Sequence, residues 1–260
     1  MSKLLLDSLK ETSSSESKCS SQFIEPEIHC IQLAKNDFVK FEGDQFLEML
    51  DTPDKANLEQ FCASWNDLSE DTYMSDGGRY RLRRHAVFSA NKYGAEVRPQ
   101  SYQPHYQTMH FNTLNGGLQR YFEPIKEAIC DCKIMRSIIN FGARTFGALS
   151  PFNEWHIEVH QFRILAGDDE GKPTPEGMHQ DGVDYVLMTL IQRSNVVGGE
   201  TTVQNLEGNE VAKFTLTNPM ESIIINDLRV AHGVTPILKA DSELSGHRDM
   251  LVITYKRALN

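Results

Sequence analysis

From residue 156 onward the chain breaks into short strand-like runs, at residues 156–165, 184–193, 201–206, 211–217, 221–225 and 250–256. Turn signals separate them: Gly198-Gly199, Glu207-Gly208-Asn209, Asn218-Pro219 and Gly233. Strands this short and this evenly spaced, with no helix between successive members, exclude a parallel α/β sheet and predict a sandwich or closed barrel. Helical patterns precede them. Phe46, Leu47 and Leu50 share one face within a helical stretch over residues 43–68. Leu58, Phe61, Cys62 and Trp65 repeat that face after a break at Thr52-Pro53-Asp54, where Pro53 fits the first turn of a second helix. Between Asn115 and Asn140, Leu118, Tyr121, Phe122, Ile125, Ile129 and Cys132 recur at three- and four-residue steps, followed by Ile134, Met135, Ile138 and Ile139. They predict a core-facing helix kinked near Pro124. A first strand is expected between Phe23 and Phe41, from the alternation Ile28-His29-Cys30-Ile31-Gln32-Leu33. The fold expected is mainly β with flanking helices: a jelly roll preceded by N-terminal helices.

Residues 7–22 are rich in Ser and charge and cannot bury enough apolar surface to offset their ordering entropy. A mobile tail over residues 1–22 is expected. Residues 23–260 then form a single domain, with helical support mainly over 43–140 and the jelly-roll core mainly over 155–258. A net charge of −10 argues against nucleic acid and anionic membranes as partners. No apolar segment is long enough to span a bilayer. The opening Met1-Ser2-Lys3-Leu4-Leu5-Leu6-Asp7 is too short in its apolar part for a secretory signal. Five cysteines, Cys19, Cys30, Cys62, Cys130 and Cys132, form an odd set without metal-finger spacing and read as reduced thiols in a cytoplasmic protein.

Within this frame, Met178-His179-Gln180-Asp181-Gly182 lies between a polar loop and the apolar run Tyr185–Ile191. On an extended segment, His179 and Asp181 project to one side. An imidazole and a carboxylate so placed supply two members of a 2-His-1-carboxylate triad, the set that holds non-haem Fe(II) and leaves its opposite face open. Alone, the pair is a weak signal. His232, beside Gly233 in Asn226-Asp227-Leu228-Arg229-Val230-Ala231-His232-Gly233, is the candidate third ligand, because a jelly roll can bring such distant positions to one mouth. His105 and His110 read as surface or hydrogen-bonded core residues rather than ligands. Arg248 enters the apolar strand Met250–Thr254, and a guanidinium there is costly unless paired. It stands either at a surface strand end or opposite the distal carboxylate of a dicarboxylic co-substrate. Arg79, Arg81 and Arg83 alternate with Tyr80, Leu82 and Arg84, which makes either a solvated, ion-paired strand face or a carboxylate-binding wall.

The ordered set His160-Gln161-Phe162-Arg163, His179-Gln180-Asp181, Gly198-Gly199-Glu200, His232-Gly233-Val234-Thr235-Pro236 and Arg248-Asp249 resembles Fe(II)/2-oxoglutarate dioxygenases. Within that class it resembles the bacterial free L-amino-acid hydroxylases typified by L-isoleucine 4-hydroxylase. The likeness runs over residues 75–258 and is strongest after 155. It implies a double-stranded β-helix (jelly roll, cupin-like) core, with Fe(II) on His179, Asp181 and His232. It further implies 2-oxoglutarate paired with Arg248, use of O2, and hydroxylation of an unactivated C–H of an aliphatic L-amino acid, with succinate and CO2 released. Gln161 and Arg163 share a strand face and are candidate pocket residues or packing residues. For the amino-acid carboxylate the candidates are Arg79, Arg81 and Arg83, and for its ammonium Asp184 and Glu200. Rival readings keep the same chemistry on a peptide, a carrier-bound residue or another metabolite, or make the jelly roll a non-catalytic metabolite-binding module. A zinc hydrolase could use the same ligand types, but it would leave Arg248 without a task.

Overall fold

A computed structural model describes residues 27–50, 55–167 and 169–258. The expected tail over residues 1–22 and the break at Thr52-Pro53-Asp54 lie outside them. The architecture rests on one large antiparallel sheet. Its members are β1 (Phe38–Phe41), β2 (Ser69–Glu70), β3 (Arg81–Ala90), β4 (Val97–Pro99), β5 (Trp155–Ala166), β6 (Tyr185–Ser194), β10 (Ser222–Asn226) and β13 (Gly246–Arg257). They run in the order β1-β10-β6-β13-β5-β3-β2, with β4 paired to β3. The short strands between complete the roll. β8 (Glu200–Asn205), β9 (Glu210–Thr215) and β11 (Val230–Val234) form a three-stranded sheet ordered β11-β8-β9. β7 (Val196–Gly198) pairs with β12 (Ile237–Lys239).

The alternation of side chains explains why β6 reads as an unbroken apolar run. Val186, Met188 and Leu190 project between the sheets, where they meet Ile223 and Ile225 of β10, Val203 of β8 and Val230 of β11. Leu187 and Ile191 project the other way, into a larger core with Ile224, Leu251 and Ile253. A strand buried on both faces has no polar face to show.

That outer core is closed by helices, chiefly α5 (Lys133–Leu149), with α1 (Ile28–Asn36), α2 (Gly43–Met49) and α3 (Lys55–Ala63) beside it. α5 buries Ile134, Met135, Ile138, Ile139, Phe141 and Phe146 against the sheet. Gly142 lets it come close: a Cβ there would overlap the ring and hydroxyl of Tyr255, which donates to the Ile139 carbonyl at 2.9 Å. Mid-helix glycine costs about 1 kcal/mol relative to alanine, and this contact is what it allows.

Two helix–strand expectations are corrected. Residues 28–36 are helical, and the first strand is β1. His29, Cys30 and Leu33 form the buried stripe, while Ile28 and Ile31, which gave the strand-like alternation, are 69% and 53% exposed. The expected helix from Asn115 does not form before the short α4 (Glu127–Cys130). Gly117 has a positive φ of 84°, and the backbone of this segment is committed elsewhere, Arg120 to His105 and Ile125 to His85. Leu118 and Tyr121 are accordingly exposed. The four described cysteines, Cys30, Cys62, Cys130 and Cys132, are free. No described helix is long and apolar enough to cross a membrane.

Candidate active site

The open side of the roll holds a cavity of about 240 Å³ walled by even-numbered residues of β5 and β13, odd-numbered residues of β3, and the loops over residues 105–120 and 173–183. His179, Asp181 and His232 converge on it with one ligand atom each, all within 4.8 Å of one another, a group that could hold a metal ion. The His179 Nε2 lies 3.7 Å from Asp181 Oδ1, and the His232 Nε2 lies 3.8 Å from Asp181 Oδ2. His232 sits on β11. His179 joins it by a single antiparallel bridge, its N–H and carbonyl exchanging hydrogen bonds with His232 at 3.0 and 2.9 Å. The Nδ1–H of His179 donates to the Gly177 carbonyl at 3.0 Å, so Nε2 is the nitrogen turned to Asp181 and the one a metal could take in place of a proton.

Asp181 lies beyond the bridge, in a loop that has no ladder to hold it. Asp227, 1% exposed, takes that role: its Oδ1 accepts from the Asp181 N–H at 2.9 Å, and its Oδ2 from the Gly182 and Val183 N–H groups at 2.9 and 3.1 Å. Gly182 makes the turn possible, with φ at 79° and the ring of Phe111 where a Cβ would stand. In the metal-free chain, burial disfavours the charge of Asp181, but the hydrogen bond and charge of His179 outweigh it and hold the carboxyl well below the usual carboxylate range. Burial likewise opposes the charge of His179, yet Asp181 and Glu176 push it up to about 9. His232, fully enclosed and next to that imidazolium, is pushed down to about 4. Asp227 is raised to about 7, by burial and by the neighbouring charge of Asp181, despite its three N–H donors.

Arg248 reaches the same cavity from β13, 3% exposed, and its Nε has no hydrogen-bond partner among the described residues. Burial, and then the neighbouring Arg193, lower it to about 10. Arg193 is held to the Val196 and Gly198 carbonyls at 3.2 and 2.9 Å. Arg193, whose NH1 is also unpartnered, is not in the cavity wall, so Arg248 is the guanidinium that reaches the cavity here.

Arg81 and Arg83 also line the cavity, at 6% and 4% exposure, and share the carboxylate of Asp71, itself 1% exposed. The intervening Phe162 of β5 stacks on Arg83. Beside them is a cluster the sequence did not announce, His85, His105, His160 and Glu158, with ligand atoms again within 4.8 Å. It is not a second metal centre in this arrangement. Arg83 can only donate, and its NH2 lies 2.8 Å from His160 Nδ1. The proton of His160 therefore sits on Nε2, 3.4 Å from Glu158 Oε2, and leaves no lone pair facing a metal there. His105 donates from Nδ1 to the same oxygen, and His156 stands 3.3 Å from Oε1. Burial opposes the charge of Glu158, but this ring of imidazoles holds it well below the usual carboxylate range. His105 and His160 are pushed down, chiefly by burial.

The remaining sequence candidates stand elsewhere. Gln161 and Arg163 do share a face of β5, but it is the face turned to the helices. Gln161 donates to Ser64 Oγ at 2.8 Å, and Arg163 forks onto Asp249 with two contacts of 2.7 Å. Cavity-facing positions on β5 are the even ones, His156, Glu158, His160 and Phe162. Arg79 precedes β3, 80% exposed in its side chain, and pairs with Glu70. Asp184 is bound to Arg257 at 2.6 Å, and Glu200 to Lys213 at 2.9 Å, neither in the cavity wall. Residues the sequence reading passed over include Asp71, Gln107, Arg120, Glu158 and Asp227. The polar series His156, Glu158 and His160, alternating with the apolar Ile157 and Val159, was the signal for Glu158 and His160. His105 is a hydrogen-bonded residue, as expected, but it faces the cavity.

Known proteins place this arrangement. The model of a family described as 2OG-Fe dioxygenase matches residues 62–254. A solved structure of a bsmA homologue from Methylobium petroleophilum PM1 is similar at a TM-score of 0.82 and 31% identity, covering 88% of this chain and 92% of that one. IDO from Bacillus thuringiensis is similar at a TM-score of 0.73 and 18% identity, over 90% of this chain and 96% of that one. The Fe(II)/α-ketoglutarate-dependent dioxygenase TqaL follows at 0.71 and 16%, over 89% and 86%. These last two likenesses are of fold. Among curated proteins there is no match.

Proposed function

The chain belongs to the 2OG-Fe dioxygenase family, whose members use Fe(II), 2-oxoglutarate and O2, and on that footing we propose that it hydroxylates an unactivated C–H of a free aliphatic L-amino acid, isoleucine- or leucine-like. Succinate and CO2 are the co-products. His179, Asp181 and His232 would hold the iron. The donor set suits it: two imidazoles and a carboxylate form the facial set of non-haem Fe(II) oxygenases, with open positions opposite. The Gly177 carbonyl, by holding Nδ1–H, orients His179 Nε2 for the same role. When bound, the iron supplies the oxidation; the chain supplies position and a shielded space.

The observation that carries this reading is the convergence in one cavity of that triad with a buried guanidinium unpartnered at Nε. Arg248 would fork onto the far carboxylate of 2-oxoglutarate, a charge-assisted pair whose planar geometry suits guanidinium. Asp227 keeps Asp181 in place through the three backbone N–H groups. Gln107 steadies the same residue, its amide donating to the Asp181 carbonyl at 3.1 Å and reaching Oδ1 at 3.4 Å. A cavity of about 240 Å³ fits a small metabolite beside the co-substrate better than a folded partner. The choice of an aliphatic amino acid rests on the ordered motif set from His160 to Arg248.

The test is succinate formation from 2-oxoglutarate, with Fe(II) loaded anaerobically and air then admitted, across a panel of L-amino acids. Stimulation by an aliphatic member, lost in His232→Ala, is expected. Succinate formed slowly and without response to any amino acid would remove the substrate assignment. No turnover and no binding of Fe(II) and 2-oxoglutarate would remove catalysis.

A further inference from the structure

The wall of the cavity built from β3 and the loop over residues 105–120 carries guanidinium N–H groups that the described residues leave without a partner. Arg81, Arg83 and Arg120 all line it, with 6%, 4% and 2% exposure. Arg81 is satisfied: its Nε and NH2 both stand 2.8 Å from Asp71 Oδ2. Arg83 reaches the same oxygen only at 3.4 Å through NH1, gives NH2 to His160, and leaves Nε without a partner. Arg120 gives NH2 to a neutral acceptor, Gln107 Oε1, at 2.9 Å, and its Nε is also unpartnered. The other carboxylate of this wall, Glu158, is occupied by the imidazoles of His105, His160, His85 and His156. The remaining carboxylate of the cavity, Glu176, stands 3.6 Å from His179 Nε2, and the Nε groups of Arg83 and Arg120 stay buried without a hydrogen-bond partner among the described residues.

The geometry is held rigidly. Arg83 lies between two rings, its guanidinium carbon 3.5 Å from the centre of Phe122 and 4.4 Å from that of Phe162. Stacking of this kind suits a planar guanidinium and fixes the direction of its free Nε–H. A buried cation lacking a partner is expensive, and a chain that keeps it in a cavity wall has an anion to receive there. Arg248 cannot serve both purposes, since it stands on β13 beside Arg193 and is engaged by the co-substrate in the reading above.

We infer that Arg83 and Arg120 form a second anion subsite, separate from Arg248, that takes the carboxylate of the organic substrate. This rests on the dioxygenase reading and deepens it: the substrate is a small carboxylic acid held by its carboxylate at the β3 wall, with its carbon chain directed toward the triad. Gln107 sets the relation of the two sites. It accepts from Arg120 and Asn112 through Oε1 and donates to Asp181 through Nε2, so one side chain separates the subsite from the triad.

The test begins on the ligand side, where no variant can misfold. Anaerobic enzyme with Fe(II) and 2-oxoglutarate is first checked for the metal-to-ligand charge-transfer band, and is then titrated with L-isoleucine, L-leucine and their carboxamides by calorimetry and by succinate formation. The acids are expected to bind about 100-fold more tightly than the amides, the range for a buried charge pair broken on one side. Arg83→Gln is expected to keep the band, to move 2-oxoglutarate affinity less than about 3-fold, and to raise KM for the acid about 30-fold or more. Amides bound as well as acids, or an Arg83→Gln variant that weakens 2-oxoglutarate and spares the amino acid, would overturn the subsite. A band in the wild type with no response to any acid overturns the subsite and the amino-acid assignment but leaves the dioxygenase. Absence of the band from the wild type overturns the dioxygenase reading, and the subsite with it.

Discussion

Replacing Arg248 by Met should move stability and ligand binding in opposite directions. Arg248 is 3% exposed, its Nε has no partner, and burial with the nearby Arg193 lowers it to about 10. A fall of that size from the ordinary guanidinium value corresponds to about 3 kcal/mol against the charged form in the folded chain. Met fills the volume of the aliphatic stem and carries no charge. The ligand-free variant should therefore gain up to about 3 kcal/mol, and with about 2–4 °C per kcal/mol in a chain of this size its Tm should rise by several degrees. In the presence of 2-oxoglutarate the order reverses. Breaking one side of a buried charge pair costs about 2–5 kcal/mol, a loss of about 30-fold or more in affinity. Scanning calorimetry of both proteins, anaerobically with Fe(II) and with or without saturating 2-oxoglutarate, reads both effects, because a ligand bound only by the folded state raises Tm by mass action. A ligand-free variant less stable than wild type, combined with an undiminished 2-oxoglutarate shift, would refute the argument on both counts: the charge would then be well compensated, and the anchor would be elsewhere.

Two further outcomes follow from the same contacts. In Asp227→Asn an amide N–H2 faces at least one of the three backbone N–H donors of the Asp181 loop, so Fe(II) affinity should fall about 10- to 100-fold; an anaerobic metal titration that gives the wild-type value would show that the loop holds itself. Stability of the metal-free chain should fall as pH drops from 7 to 5.5. His29, His105 and His160 are all pushed below the ordinary imidazole value, chiefly by burial. Below pH 6.5 the unfolded chain thus takes up protons that the folded chain refuses, about 1.4 kcal/mol per pH unit for each group. Two raised groups oppose this fall and make it smaller: His179, raised to about 9, down to about pH 6.5, and Asp227, raised to about 7, through the window. The stabilising contribution of Glu158, being depressed, is lost only at still lower pH. Urea midpoints at the two pH values read the slope, which His160→Gln should flatten; a wild-type midpoint independent of pH would contradict it.

What could be read from the sequence was what depends on neighbours along the chain. The run Tyr185–Ile191 announced a buried strand, and the structure buries it on both faces. His179 and Asp181, two apart, do meet on one side, although only His179 is tied to a strand, by one bridge. Parity was the limit. Arg81, Arg83, Gln161 and Arg163 are all polar residues at odd positions of β-strands, and nothing local says which face an odd position will take. The answer lies in pairing: Arg83 stands opposite Phe162, and Arg163 opposite Asp249, a register set across three strands. That register sends Arg81 and Arg83 into the cavity and turns Gln161 and Arg163 toward the helices.

The same consideration explains how the site is divided. His232 and Arg248 stand on paired strands and are positioned by the fold itself. Asp181 stands in a loop, and its place depends on side chains: Asp227 beneath it, Gln107 beside it, and through Gln107 the guanidinium of Arg120. A ligand ladder-held at one end and side-chain-held at the other can be disturbed without unfolding the roll. An anion arriving at Arg120 would compete with Gln107 for that guanidinium, and Gln107 is the residue that touches Asp181. The wall that selects the substrate and the carboxylate that completes the triad are therefore joined by one amide, and occupancy of the first bears directly on the geometry of the second.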